Sequence, residues 1–192
     1  MNENLRKEIV GYFLQDSGDY LERFRLLFFD AGTFAFTHIG NRRKLLVDVL
    51  FSIECSLKAL IFLESQDDEK KTYNQIKNCS HKLEKLLSKI QSVDADFIIF
   101  KNFVNQISLD EYSVCSRYSI EVNIRFRENG VLGNKYYSTI ANPTLIKTIY
   151  EETKKLKDYV SSKTNLFSAV YLSDIDIDEL LENQRHLSSI AK

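Results

Sequence analysis

Glu54 and Lys58 stand four residues apart inside the apolar run LFSIECSLKALIF. On a helix that spacing stacks them on one face, acid first, the order in which such pairs help. Charges embedded in apolar sequence persist only when partnered. The pair is therefore either a structural salt bridge at the rim of a core or a polar spot that receives a ligand or partner. Upstream, Asn41 is followed by Arg42, Arg43 and Lys44. Three cations at a helix start oppose its dipole, yet with the free backbone N–H groups they would make a phosphate site. The alternative is a solvated basic end paired with acids elsewhere. There are three histidines. His38 lies in an aromatic connector and reads as a core residue, and His186 follows Arg185 in the tail. His81, in SHKLEKLL, falls in the expected first turn of a helix, and imidazole is the side chain suited to proton transfer near neutral pH.

These residues need elements to position them. Leu46, Leu50, Ile53, Leu57, Leu60 and Ile61 recur at three-and-four spacing. Residues 41–64 are thus expected to form a central helix, capped by Asn41 and about 36 Å long. It is apolar on most faces and must be enclosed by other helices. Asp48, Glu54 and Lys58 argue against a membrane span, since each would cost roughly 2.5–3.5 kcal/mol at the bilayer centre.

Before it, residues 4–14 predict a short amphipathic helix interrupted by Gly11. Ser17 is expected to cap a second helix that Gly32 ends. Residues 34–40 read as an apolar connector. After the central helix, 65–78 read as an exposed loop or frayed helix. A helix is expected from Ser80, and a further long one capped by Asp94 or Asp96. From Tyr118 to Phe126 apolar and polar residues alternate, the signature of a half-buried strand. With the turn dipeptides Asn129-Gly130 and Gly133-Asn134, a β-hairpin over 117–140 follows, its return strand at 135–140. Asn142-Pro143 opens another helix. An apolar connector over 164–172 leads to the acidic run SDIDIDELLE and a short helix to about Ile190. The fold expected is a mainly α antiparallel bundle of four to five long helices. The bundle occupies 1–165, the acidic tail 166–192.

At 192 residues the chain fits one domain with an appendage. A net charge of −1 provides no global field to attract nucleic acid, so any RNA contact must come from a local patch. The three cysteines are odd in number and form no Cys-x-x-Cys, which argues against a disulfide framework or a zinc site. No metal or cofactor is expected. The first residues lack a signal-peptide core, and a cytoplasmic setting is expected. GxSxG, P-loop, GxGxxG and HExxH signatures are missing.

The order SIECSLKALIFLE, a polar gap, then SHKLEKLL resembles the HEPN superfamily of helical domains. Many of its members carry a Glu-x-x-x-Lys central helix followed by a His-x-Leu-x-x-Leu helix. Here the match falls on Glu54, Lys58, His81, Leu83 and Leu86. It spans 41–91, with SRYSIEV a weaker echo. The resemblance implies a four- or five-helix bundle, frequently dimeric, in prokaryotic toxin–antitoxin, phage-defence or RNA-processing systems. Catalytic members are metal-independent ribonucleases with an Arg four to six residues before a His. No Arg here stands at that distance. Arg185 adjoins His186, and Lys77 precedes His81 by four but lacks the bidentate guanidinium grip. A site assembled from His81 with Arg117 or Arg42 would need three-dimensional proximity alone.

Two functions are expected. One is a HEPN-like module that dimerises or binds a protein or RNA partner, with Glu54, Lys58, Arg42 and Arg43 as contact residues. An antitoxin or nucleotidyltransferase is the implied partner. The other is a noncanonical ribonuclease toxin using His81 as acid–base with an Arg on the phosphate.

Overall fold

The computed structural model describes residues 3–31, 34–112, 119–164 and 177–190. Arg117, Cys115 and most of the connector over 164–172 lie outside them. Among the described residues the architecture is helical but for one minimal hairpin. Four long helices make the bundle: α1 (Glu3–Arg25), α3 (Ile39–Glu64), α6 (Ala95–Gln106) and α9 (Pro143–Ser162). Short helices α2 (Phe34–Thr37), α4 (Glu69–Cys79) and α5 (Leu83–Lys89) join or flank them.

The central helix forms where expected, and α1 packs along it in the most extensive contact of the molecule. Arg6 meets Phe62, Ser17 meets Ser52, and Arg23 meets Asp48, so the two run antiparallel. Phe24 stacks on Tyr150 and Gly18 lies against Lys157, so α9 is antiparallel to α1 as well. Leu45, Leu46, Val49, Ile53, Leu57 and Leu60 are buried between these helices.

Several local expectations are corrected. Residues 3–25 form one helix through Gly11 and Ser17, continued by a π-helical turn over Leu26–Asp30. A mid-helix glycine costs only about 1 kcal/mol, which burial of Leu5, Ile9, Val10 and Leu14 outweighs. Ser17 is not a cap. It is fully buried, its hydroxyl 2.8 Å from those of Ser52 and Ser56, which lets α1 and α3 approach closely.

His38, not Asn41, caps α3: its Nδ1 accepts from the Gly40 N–H at 3.0 Å. A Cβ at Gly40 would stand 3.1 Å from that nitrogen, so a larger residue there would push against the cap. Asn41 instead donates to the Phe34 carbonyl. The polar stretch 65–78 contains α4, capped by Asp68, whose carboxylate accepts from the Lys71 N–H. Ser80 closes α4 at φ +52°, and His81 lies in the turn before α5.

The expected strand over 118–126 is a helix, α7 (Ser119–Phe126). Its period-two pattern divides between two helical faces: Val122 and Phe126 are buried, Ile120 and Ile124 exposed. The hairpin shrinks to β1 (Arg127–Glu128) against β2 (Val131–Leu132), antiparallel with Arg127 opposite Leu132. Asn129 and Gly130 make its turn at φ +51° and +85°, the double positive φ for which Asn-Gly is preferred. The return segment is helical, α8 (Asn134–Ser138). Asn142 caps α9 as expected, accepting from Thr144 and Leu145. The C-terminal helix α10 (Ile177–Ile190) rests on α4, where Lys70 donates to the Ser189 carbonyl at 3.4 Å, and its Asn183 and Ile190 are buried. No helix among the described residues is long and apolar enough to cross a membrane.

Candidate functional site

The polar residues of α3 face three separate neighbours. In the middle of the helix, Glu54 is 5 % exposed although it carries a charge. Lys58 Nζ lies 2.6 Å from its Oε1, one turn further on. The turn between α4 and α5 brings His81 to the same carboxylate, with Nδ1 at 2.9 Å from Oε2 and 3.1 Å from Oε1. An ionic notch therefore forms, with His81 preceding its helix rather than beginning it as expected.

An ionised carboxylate only accepts hydrogen bonds, so Nδ1 carries the proton donated to Glu54. The His81 side chain is 41 % exposed. Phe51 meets the imidazole edge-on at 6.2 Å and is itself stacked on Tyr20 at 5.2 Å. Lys58 lies 5.9 Å above the Phe13 ring, a cation–π contact that orients its stem. The result is a histidine held in one tautomer by a buried acid, with aromatic walls. Cys55 adjoins the notch but is no nucleophile, because burial pushes its thiol up to about 12, only partly offset by Lys58.

The basic start of α3 is built differently. Arg42 donates Nε to the Ala35 carbonyl at 2.9 Å and Nη1 to the Ala141 carbonyl at 2.8 Å, tying α2 and the approach to α9 onto α3. Arg43 is buried beside Tyr136, whose phenol is pushed up by burial and pulled back by the Arg43 charge. Arg42 precedes Glu54 by twelve residues, about 18 Å along the axis. The structure thus unites Glu54, Lys58 and His81 and leaves Arg42 and Arg43 at the far end. Arg117 belongs to the undescribed residues.

Sequence reasoning missed two further polar clusters. Arg6, buried in the stripe of α1, donates to the carbonyls of Phe62, Ser65 and Asp67 and faces Glu69 at 3.8 Å. Arg23 grips Asp48 with both Nε and Nη2. The available signal was the one that flagged Glu54, a charge set within an apolar stripe, as at Arg6 and Asp48.

Next to the notch in sequence, Lys82 and Glu84 line a cleft of about 500 Å³ that also takes in Leu87, Glu111 and Arg125. Its charges are of both signs, and Lys135 caps Glu111 at 2.7 Å. Among the described residues no group of three His, Cys, Asp or Glu side chains stands ready to hold a metal ion.

These features define a helical bundle with a carboxylate-anchored histidine beside its central helix. No family model, curated protein or solved structure matches the chain.

Proposed function

We propose that this chain is a HEPN-like helical module that acts by binding, as a dimer or on a protein or RNA partner, in a prokaryotic defence, toxin–antitoxin or RNA-related system. The observation that carries this reading is the engagement of Arg42. Its guanidinium holds two backbone carbonyls about 18 Å along α3 from the notch, so it is not a phosphate grip for His81. The charge of Glu54 is balanced within the chain by Lys58, which suits a structural brace in a bundle that works through its surface. The test is incubation of purified protein with labelled RNA in the absence of metal. The expected result is intact RNA, and cleavage abolished by His81→Ala overturns the reading.

One observation favours a second reading, a metal-independent ribonuclease toxin. Glu54 holds His81 through Nδ1 while the ring stays partly exposed, the arrangement in which a base is held by a third group. In that reading His81 takes the proton of an attacking 2′-hydroxyl, Lys58 lends charge, and an Arg orients the phosphate. Expression would then arrest growth, and His81→Ala would relieve the arrest with the helical circular dichroism spectrum intact. Arrest that persists in that variant removes His81 from the mechanism.

A further inference from the structure

The helices α6 and α9 run antiparallel, fastened at one end where Asp94 accepts from the Tyr159 hydroxyl at 2.8 Å and pairs with Lys163. Alongside that fastening lies a groove of about 510 Å³, with Tyr159 itself in its lining. Its floor is apolar: Phe100 and Leu156 are buried beneath it, and Ile99 stands on its wall 60 % exposed. Elsewhere on and before α6, Ile98 is 42 % and Val93 83 % exposed.

The rim is acidic. Asp96 stands on the α6 side and Asp158 on the α9 side, and among the described residues no cation pairs with either. Glu152 is already neutralised by Lys155 at 2.6 Å. An apolar trough between two unbalanced carboxylates repels phosphate and complements a helix whose apolar stripe is flanked by lysine or arginine.

We propose that the groove between α6 and α9 docks a basic amphipathic helix of a partner protein, Ile99 supplying apolar contact and Asp96 and Asp158 gripping the cationic flanks. A second copy is the weaker occupant. Its candidate is α7, with Ile120 and Ile124 outward, but α7 spans only eight residues and its Arg125 already faces Glu111 at 3.9 Å. The groove shares no residue with the Glu54 notch, so this inference goes beyond the functional reading above and fails or stands separately from it.

The experiment is a fluorescence-anisotropy titration of the full chain. The probe is a labelled peptide of about 18 residues, long enough to sustain a helix, with leucines at i, i+3, i+4 and i+7 and lysines along both flanks. A twin carries glutamates in place of the lysines. The lysine peptide is expected to bind saturably, more weakly as salt rises, and at least about tenfold more weakly to Ile99→Glu. Asp96→Lys combined with Asp158→Lys is expected to transfer the preference to the glutamate peptide. Both substitutions fall on exposed positions, and circular dichroism checks that the variants remain folded. Lack of saturable binding, equal capture of both peptides, or affinities unchanged in both variants overturns the proposal. So does a dimer, seen by light scattering, that Ile99→Glu dissolves, because it would make the groove a contact between copies.

Discussion

The middle and the start of α3 carry the same kinds of charged side chain and use them in opposite ways. At Glu54 a buried acid gathers an ammonium from one turn along its own helix and an imidazole from a distant turn. At Arg42 a cation gathers backbone carbonyls from α2 and from the segment before α9. The first arrangement leaves a titratable ring partly open to solvent, and the second consumes its charge in holding connections. A run of basic residues at a helix start is therefore no guide to anion binding until the neighbouring carbonyls are known. A lone acid in an apolar stripe does announce a partner, because a buried carboxylate without one is too costly to keep.

Four experiments break or sharpen that contrast. The largest effect is expected from Glu54→Ala, which strands Lys58 and His81 beside the core. About 2–3 kcal/mol should be lost in urea unfolding, below the full cost of breaking a buried pair because the Lys58 head and the His81 ring can both reach water. A loss under about 0.5 kcal/mol would make the notch a solvated surface feature. Arg42→Ala follows at about 1–2 kcal/mol, since two carbonyls lose their donor. Arg42→Lys should recover little, because one ammonium cannot span carbonyls belonging to two segments.

Lys58→Met comes third, at no more than about 1 kcal/mol, as its head is partly solvated and His81 still holds Glu54. The smallest effect is in the acid limb. Glu111, beside Lys135 and Arg125, is held below its ordinary 4.5, and Asp94, beside Lys163 and Tyr159, below its ordinary 3.8. Their folded values are depressed, so their contribution is present above the ordinary values and lost as pH falls through the lowered ones. Melting temperature should decline on acidification below about 4.5, and Lys135→Ala should flatten that decline slightly.

Much of this was legible in the chain. The three-and-four spacing from Leu46 to Ile61 marked the central helix, and Glu54, Lys58 and His81 do meet. Asn142-Pro143 and Asn129-Gly130 act as their residue types require. Other features misled for physical reasons. Alternation over 118–126 fits a strand, but Ile120/Ile124 and Val122/Phe126 are also i, i+4 pairs on opposite sides of a helix, and packing against Tyr112 and Tyr136 decides for the helix. The stretch 65–78 looked like a loop because it is polar overall. Yet Glu69, Thr72, Ile76 and Cys79 recur at three-and-four spacing and are its buried face. Ser17 carried no signal at all, since its role is set by serines 35 and 39 positions away.

Arg6 has a consequence for how the chain is made. Its partners at Phe62, Ser65 and Asp67 lie 56 to 61 positions downstream, so the latch cannot close until that much more chain has emerged from the ribosome. During that interval the Arg6 guanidinium has water as its partner. The hairpin between the two longest helices is thus latched at its open end only once residues 62–67 have been made.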